Sequence, residues 1–511
     1  MFAKTWSAAI NGVEAYTVEI EVNPTGGGDD TIINVVGMPD TAVRESRERV
    51  WSAMACNGFF PPRGKTTVNL APADVRKAGT GFDLPIALGM IAAGNSFDRD
   101  ALKETMVLGE LALDGCVRPV PGVLPAAMHA SGQGMRNLIC SAENAAEAGV
   151  ATGLNVYGIS HLREAIDFFR GEKELSPTAI DINELYEHHT IECPDFGEVK
   201  GQETAKRGME ISAAGGHNLL MIGPPGTGKT MLARRLSSIL PPLTLEEALD
   251  VTRVHSIAGN LPADTPLILE RPFRTPHHTV SDAGLLGGQS VPRPGEISLA
   301  HHGILFLDEL PEFKRNVLEV LRQPLESGEV TISRATGTFT FPSTFVLAAA
   351  MNPCPCGHYG SAQRRCRCNY GELKRYRAKI SGPLLDRIDL HVDVAPVTEQ
   401  ELLNRPQGES SATIRERVLR ARRLQEERFT GSKVHCNAHM TPTHLEDYCR
   451  LGEDSQSMLR VAFHDINLSA RAYDRILRVA RTIADLEGVQ DIEPPHVTEA
   501  IQYRSLDRQM W

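Results

Sequence analysis

The sequence lacks any apolar run approaching the roughly 20 residues that a membrane-spanning helix needs. Its first residues, MFAKTWSAAINGVEAY, contain no apolar segment of the kind that opens a secretory signal, so no such signal is predicted. Positive charge is also in deficit, since 53 lysines and arginines against 64 aspartates and glutamates give a net charge of -11. These deficits predict a cytoplasmic protein that binds no membrane and does not coat nucleic acid indiscriminately, although they leave room for local basic surfaces.

Cysteine is too sparse for a disulfide framework, with 10 in 511 residues. Four of the ten form two close pairs, and this distribution fits a metal site in a reducing compartment better than extracellular cross-links. The length predicts about three domains. The hydrophobic fraction of 41% is sufficient for ordinary globular cores.

The chain is organised around a short strand, a glycine-rich loop and a helix. The apolar run 219–222 predicts a buried strand, and it leads directly into the pattern Gly-x-x-x-x-Gly-Lys-Thr. This order is typical of a phosphate-binding loop, in which glycines let backbone N–H groups face a phosphate chain at a helix N-terminus. Lys229 is predicted to reach the terminal phosphates and the Thr230 hydroxyl to bind Mg²⁺. The predicted nucleotide-binding residues are Gly223, Pro224, Pro225, Gly226, Thr227, Gly228, Lys229 and Thr230.

Two further predicted strands each end in polar residues that suit ATP hydrolysis. The run 304–307 is followed by Asp308, predicted to hold Mg²⁺ through its water shell, and by Glu309, predicted to polarise the attacking water. The run 345–351 is followed by Asn352, which would orient that water. The alternatives are an acidic turn for the first pair and a turn cap before proline for Asn352.

Two arginines are candidates for contacting the γ-phosphate. Arg387 lies between two apolar stretches, where ring ATPases place an arginine that stabilises transition-state charge in the neighbouring subunit. The alternative is an intrachain ion pair with Asp386 or Asp389. Arg471 lies in the first turn of a helix that Ser469 is predicted to cap, and it is a candidate lid arginine on the nucleotide or an ordinary surface residue.

Residues 1–170 read as one α/β unit that resembles the ribosomal-S5-like domain of Lon and of Mg-chelatase-related proteins. Proteolytic relatives place a nucleophilic serine and a lysine where this sequence has Ile86 and Leu124, so the Ser-Lys chemistry is missing. The domain is therefore expected to be structural or a docking surface. The stretches that carry the resemblance are Val36-Gly-Met-Pro39, Asn69-Leu-Ala-Pro72, Phe82-Asp-Leu-Pro85 and Gly109-Glu-Leu111.

The remaining signatures resemble the ComM (YifB) family of Mg-chelatase-related AAA+ proteins over essentially the whole chain. They are GPPGTGKT, FLDEL, MNPCPCG and LLDRIDL. The resemblance implies ring assembly, most simply hexameric, and ATP-driven branch migration of DNA during natural transformation. It also implies an α/β chain with an S5/Lon-like α+β front domain (1–170), a linker (171–196), an αβα AAA+ core (197–395) and a helical lid (396–511).

Local positive charge marks the candidate DNA contacts. A Pro/Gly-rich loop around residues 271–295 contains Arg274, and a predicted hairpin over 330–341 contains Arg334. Residues 364–379 contain seven lysines and arginines, including Arg364 and Arg365, with two interleaved tyrosines. Facing the pore of a ring, Arg274 and Arg334 would contact phosphates of single-stranded or branched DNA. Subunit packing and a solvated charged helix are the alternatives.

A structural zinc site is predicted within residues 354–368, where two Cys-x-Cys pairs offer four thiolates. Cys354, Cys356, Cys366 and Cys368 would suit tetrahedral Zn²⁺ and would pin a loop that has no core of its own. His358 is a possible substitute ligand, and buried thiols without metal are the alternative.

Three rival functions remain open on the sequence. A chelatase motor that drives metal insertion through a partner subunit needs the same ATPase residues. An ATP-dependent protease lacks its nucleophile at Ile86. A non-catalytic scaffold conflicts with the intact Asp308–Glu309 pair.

Overall fold

The fold is described from a computed structural model of the chain. The residues it describes are 2–26, 31–61, 63–187, 193–288, 292–334, 337–360, 364–396, 408–432, 434–466 and 469–504.

The strands of these residues fall into three larger groups along the chain. Those of the front domain are β1 Ala3–Asn11, β2 Glu14–Gly26, β3 Ile32–Val36, β4 Lys65–Ala71, β5 Thr105–Val107, β6 Glu110–Leu111, β7 Val117–Arg118, β8 Asn137–Ser141 and β9 Asn155–Ile159. The ATPase core contributes β10 Leu219–Ile222, β11 Phe273–Arg274, β14 Ile304–Leu307, β17 Val346–Met351 and β18 Leu390–Asp393. Two small hairpins are formed by β12 Gly287–Gly288 with β13 Arg293–Pro294, and by β15 Glu329–Arg334 with β16 Gly337–Pro342.

The helices follow the same division. The front domain and linker contain α1 Thr41–Cys56, α2 Asp83–Ala93, α3 Val123–Gly132, α4 Ala145–Ala148, α5 Leu162–Arg170 and α6 Ile182–Glu187. The core contains α7 Glu203–Gly215, α8 Lys229–Ile239, α9 Leu245–Ala258, α10 Asp282–Leu286, α11 Glu296–Leu299, α12 Arg315–Glu319, α13 Arg322–Ser327, α14 Tyr370–Arg377 and α15 Gly382–Leu385. The lid contains α16 Ser411–Arg428, α17 Pro442–Tyr448, α18 Glu453–Ile466, α19 Ala470–Glu487 and α20 Pro494–Gln502.

The front domain is built on a mixed seven-stranded sheet in the order β3-β4-β2-β1-β5-β8-β9. Strands β2, β3 and β4 belong to this sheet, and every residue of helix α2 is buried. Ile86 and Leu124 are 1% and 0% exposed, so both are packing residues. The sequence reading missed β1, which pairs antiparallel with β2 from Ala3 opposite Val22 to Asn11 opposite Glu14.

The segment between the front domain and the core is more than a polar connection. It contains helix α6, and Ile182, Leu185 and Tyr186 pack against a small core that joins the front domain to α9. Leu124 of α3 and Val251 of α9 are buried in this core. Residues 171–187 therefore help to fix the front domain against the ATPase core, because burying their apolar side chains is favourable.

The core sheet is parallel and has the strand order β11-β14-β17-β10-β18. Alternate residues of the central strand β10 point to opposite faces, as strand geometry requires. Leu219 and Met221 pack with the lid helices on one face. Leu220 and Ile222 pack on the other face, beneath the hairpin of β15 and β16. This is the αβα core with a C-terminal helical domain that the sequence predicted.

In the lid, α18 ends at Ile466 and α19 begins at Ala470. Ser469 caps α19, as predicted, by accepting a hydrogen bond from the Ala472 N–H. Among the described residues, no helix combines the length and the apolar content that crossing a membrane requires.

Candidate nucleotide site

The phosphate-binding loop lies between β10 and α8, as the sequence predicted. Gly226 and Gly228 adopt φ of 80° and 83°, in the left-handed region where a side chain would be strained. Gly223 is required for a different reason, since a Cβ there would lie 2.3 Å from the Val394 carbonyl oxygen. The α8 N-terminus follows at once, so the loop's backbone can surround an anion at the positive end of a helix.

Lys229 is fixed at the base of this loop. Its Nζ donates to the carbonyl oxygens of Gly223 at 2.7 Å and Pro224 at 2.9 Å, and to Oδ1 of Asn352 at 3.2 Å. Burial lowers the pKa of Lys229, and the charges of Asp308 and Glu309 oppose that shift. The loop, the Asp-Glu pair and the residue after β17 therefore meet at one point.

The two predicted Mg²⁺ ligands are neighbours. The Thr230 hydroxyl donates to Oδ2 of Asp308 at 2.6 Å, and Oδ1 of Asp308 accepts the Glu309 N–H at 2.9 Å. A hydroxyl and a carboxylate at the edge of a phosphate site are the oxygen donors that Mg²⁺ takes in phosphate enzymes, so the residues fit this ion.

Glu309 is held in an uncommon conformation. Its φ is 51°, in the left-handed region that glutamate rarely occupies, and such strain concentrates at functional sites. Its carboxylate lies 3.8 Å from Nδ1 of His278. His278 is not among the site residues predicted from the sequence. Contact with Glu309 was missed because 31 residues separate the two.

The loop opens into a cavity of about 730 Å³. One wall comes from the turn before α7, where Nε2 of Gln202 donates to the carbonyl oxygens of Thr227 at 2.7 Å and Ala395 at 3.2 Å. The opposite wall is unexpected, because it comes from the cysteine-containing segment. The lining residues are Glu198, Val199, Lys200, Gln202, Pro224, Pro225, Gly226, Thr227, Gly228, Met231, His358, Arg364 and Pro396.

Arg387 lies in a second cavity, of about 910 Å³, on the side of the core that faces the lid. It is 8% exposed, it forms an ion pair with Glu326, and its Nη1 donates to the Pro383 carbonyl oxygen at 2.6 Å. An intrachain ion pair is therefore present, but neither aspartate named from the sequence is the partner. Asp389 instead pairs with Arg475 at 2.6 Å.

Arg471 also lines this second cavity, and it is not among the residues that line the phosphate-loop cavity. Ser469 caps its helix, as expected. Asn218, which precedes β10, lines the second cavity as well, whereas the phosphate loop follows β10. A four-residue strand spans about 13 Å, so the two cavities lie at opposite ends of β10.

The four predicted cysteines come together. The Sγ–Sγ distances are 3.3 Å for Cys354–Cys356, 3.7 Å for Cys354–Cys366 and 3.6 Å for Cys356–Cys366. All four sulfur atoms lie within 4.8 Å of one another. Sulfurs bound to one Zn²⁺ at about 2.3 Å would lie about 3.8 Å apart, so this cluster is spaced for a tetrahedral metal ion.

The electrostatics of the cluster favour a thiolate at Cys356, whereas burial and the neighbouring sulfur atoms raise the pKa values of Cys366 and Cys368. Backbone N–H groups of Arg367 and His358 lower the pKa of the Cys356 thiol to about 6. The Tyr359 N–H donates to Sγ of Cys354 at 3.3 Å. The cluster could therefore hold a metal ion.

The candidate DNA residues are distributed differently from the prediction. Arg274 lies on β11, an edge strand of the core sheet, and forms a bidentate ion pair with Glu296 at 2.7 and 2.8 Å. The expectation of a loop is wrong at this position. Arg334 is the last residue of β15 and is exposed. Arg365 is also exposed. The hairpin turn at residues 335–336 lies outside the described residues.

One further cluster was missed by the sequence analysis. Asp250, His301 and His302 bring potential metal-ligating atoms within 4.8 Å of one another in the second cavity. Neither histidine is among the metal ligands predicted from the sequence. Asp250 comes from α9, some 50 residues earlier, and only the tertiary structure brings it close.

Taken together, the parallel sheet order, the phosphate loop and the helical lid define an ATPase of the AAA+ class. The family model described as "Magnesium chelatase, subunit ChlI" matches residues 195–402. The models "Subunit ChlI of Mg-chelatase" and "Magnesium chelatase, subunit ChlI C-terminal" match residues 18–144 and 408–504.

Full-length relatives identify the family more closely. Competence protein ComM of Haemophilus influenzae is 44% identical over 509 residues, which cover 99% of this chain and 98% of that protein. Protein YifB of Escherichia coli K12 is 42% identical, over 97% of this chain and 96% of its own. The magnesium-chelatase 38 kDa subunit of Cereibacter sphaeroides is 26% identical over only 31% of this chain and 52% of its own. The chain belongs to the ComM (YifB) family of Mg-chelatase-related AAA+ ATPases.

Proposed function

We propose that the protein is a cytoplasmic, ring-forming ATPase that moves along DNA and drives branch migration in natural transformation or homologous recombination. The observation that carries the ring is the position of the arginines. Arg387 and Arg471 share one cavity, and the phosphate loop opens into another at the opposite end of β10. The two halves of a hydrolytic site can meet only if a second copy presents its arginines to the first copy's nucleotide.

The roles of the residues follow from their positions. Backbone N–H groups of residues 223–230 hold the phosphates, and Lys229 neutralises their charge. Thr230 and Asp308 would hold Mg²⁺, which would supply positive charge against the charge that develops on the phosphates. Glu309 accepts a proton from the attacking water, and Asn352, already in contact with Lys229, orients that water. Arg387 of a neighbouring copy, with Arg471 beside it, stabilises the transition state after leaving Glu326.

Exposed cationic side chains and an exposed aromatic side chain support the proposal that the protein moves along DNA. Tyr370 is 78% exposed at the start of α14, and Lys374 and Arg375 are exposed on the same helix. An aromatic face among cations is the arrangement that single-stranded nucleic acid binds by stacking and charge. With Arg334 and Arg365, these residues give an acidic chain a confined basic surface. Arg274 has an intrachain carboxylate partner and contributes less to the proposal.

DNA-stimulated ATP turnover tests this function. The assembled protein is assayed at low salt with and without forked and four-way DNA, and junction movement is followed with a labelled strand. We expect stimulation by DNA and displacement of the junction. Turnover unchanged by any DNA, with no junction movement, would reject the proposal.

A chelatase motor is the second candidate, and the similarity to magnesium-chelatase subunits favours it. The same ATPase site would then act on a partner protein that inserts a metal into a tetrapyrrole. ATP turnover that is unchanged by DNA but increases with such a partner protein would favour the chelatase motor.

We also propose that the four-cysteine cluster binds Zn²⁺. The spacing of the sulfurs and the N–H donors to them support a structural site, and four protein ligands leave no position for catalysis. Metal analysis of the purified, folded protein should give about one zinc per chain. A value near zero would remove the claim.

A further inference from the structure

The described residues of the segment between Cys354 and Cys368 lie against the phosphate-binding loop. Cys354 is two residues beyond Asn352, so the segment starts at the catalytic end of β17. Gly357 is so close to the loop that a Cβ would lie 2.5 Å from Cδ of Pro225. His358 and Arg364 both line the phosphate-loop cavity.

Each of these two cavity residues is two positions from a cysteine of the cluster. His358 follows Cys356, and Arg364 precedes Cys366, whose sulfur atoms are 3.6 Å apart. On the other side, Cys368 precedes Asn369, which caps α14 through a capping box with Glu372. A metal ion bound by the four sulfurs would therefore restrain the cavity wall both at His358 and at Arg364.

We infer that the metal-bound cysteine cluster positions one wall of the nucleotide pocket and that Arg364 contacts the phosphate groups of the bound nucleoside triphosphate. A guanidinium beside a phosphate-binding loop is suited to phosphate oxygens by charge and by geometry. Arg364, which the sequence predicted to contact DNA, would therefore contact the nucleotide instead. This assignment rests on the proposed nucleotide site and is independent of DNA movement.

Nucleotide binding to the full-length, metal-loaded protein tests the inference without DNA. Arg364→Ala is compared with Arg367→Ala, which removes the same charge from an exposed position in the same segment that does not line the cavity. The probes are ADP and a slowly hydrolysed ATP analogue. We expect Kd to rise about ten-fold for Arg364→Ala, as for loss of a charge-assisted hydrogen bond, and less than about two-fold for Arg367→Ala. Arg364→Lys should recover part of the loss.

Metal removal provides the second arm. A chelator that strips the cluster, with metal content and melting temperature measured, should raise Kd for the wild-type chain by a similar factor. It should add little in Arg364→Ala, because both changes remove the same contact. In steady state, Arg364→Ala should raise KM for ATP and leave kcat nearly unchanged, since among the described residues neither Asp308 nor Glu309 lines this cavity.

The outcomes separate the two claims. A wild-type protein that binds no nucleotide would contradict the proposed function itself. If the wild type binds but both arginine variants keep its affinity, Arg364 has no role in binding. If the folded, metal-stripped chain keeps full affinity, the cluster does not position the wall.

Discussion

The two cavities at the ends of β10 are built in different ways. The phosphate-loop cavity is centred on one contiguous stretch, residues 224–231, whose conformation is dictated by glycines and by a helix N-terminus, and residues from 198–202, His358, Arg364 and Pro396 complete its walls. The arginine cavity is assembled from the side chains of distant segments, among them Arg387, Arg471 and Arg475. The first depends on backbone geometry, and the second depends on how the lid packs on the core.

This difference underlies the proposal that one half of the site lies within a chain and the other half comes from a neighbouring copy. Within one chain, Lys229 donates to Asn352, Thr230 donates to Asp308, and the charge of Asp308 acts on Lys229. Arg387 forms an ion pair with Glu326. The residues that line its cavity include none from the phosphate-binding loop of the same chain. Variants on the two sides should therefore behave differently, and mixing them should reveal whether the halves belong together.

The largest effect is expected for Arg387→Ala. ATP hydrolysis by the assembled protein should fall by about 10³-fold or more, as for other arginines that act on the γ-phosphate, while nucleotide affinity changes little. The decisive measurement mixes this variant with Lys229→Ala. If the site is shared, about a quarter of the interfaces in an equal mixture combine an intact loop with an intact arginine, and activity returns. No recovery in assemblies shown to be mixed would mean that each chain works alone.

Glu309→Gln should reduce hydrolysis by about 10²- to 10⁴-fold with nucleotide binding retained, because the amide cannot accept the proton of water. Single-turnover hydrolysis and equilibrium binding measure the two effects separately. Glu312→Gln is the matched control, since it alters a carboxylate on the same loop that pairs with Lys379 at the surface. Equal losses in both variants would contradict the assignment of Glu309.

Asp389→Asn should lower the free energy of unfolding by about 3 kcal/mol at pH 7, because it breaks a buried pair with Arg475 in the wall of the arginine cavity. Burial raises the pKa of Asp389, but Arg475, His217 and the Asn218 N–H outweigh it and hold the pKa well below its ordinary value. Its contribution is therefore complete above about pH 4 and is lost as the pH falls further.

The free energy of unfolding of the wild type and of Asp389→Asn is measured with urea at pH 7 and below pH 4. The difference between Asp389→Asn and the wild type should shrink at the lower pH. Asp386→Asn, in the same cavity but more exposed, should cost much less. A difference that does not change with pH would show that the charge of Asp389 is not the source of the stability.

The smallest effect is expected for Arg334→Ala on the hairpin of β15 and β16. DNA-stimulated turnover should fall a few-fold and basal turnover should be unchanged, because only a phosphate contact is lost. The salt dependence of DNA affinity should become less steep. Lys4→Ala removes an equal charge from strand β1 of the front domain and serves as the control. Equal behaviour of the two variants would remove Arg334 from the DNA surface.

Elements defined by local pattern were predicted well from the sequence. The strands β10 and β14 match the expected residues 219–222 and 304–307, and Ser469 caps α19 as predicted. Each of these depends on neighbours in the sequence: an apolar run, a glycine pattern or a capping hydroxyl. The strand that ends before Asn352 was also predicted, and it lies beside β14 as expected.

Elements stabilised by distant partners were missed. The strand β1 is rich in alanine and shows little alternation, and it forms because β2 pairs with it along its length. The two-residue strand β11 exists because Phe273 packs on Phe306 at a ring distance of 6.0 Å and pairs with β14. No local signal marks either of them.

The sequence by itself determined the chemistry of phosphate binding, because residues 223–230 carry both the conformation and the groups that this task needs. Only the tertiary structure decided which partner holds Arg387, that it shares a cavity with Arg471, and that the cysteine segment forms a wall of the nucleotide pocket. The physical reason is range. Backbone conformation is set by a few adjacent residues, whereas the partner of a long charged side chain depends on which surfaces the whole chain packs together.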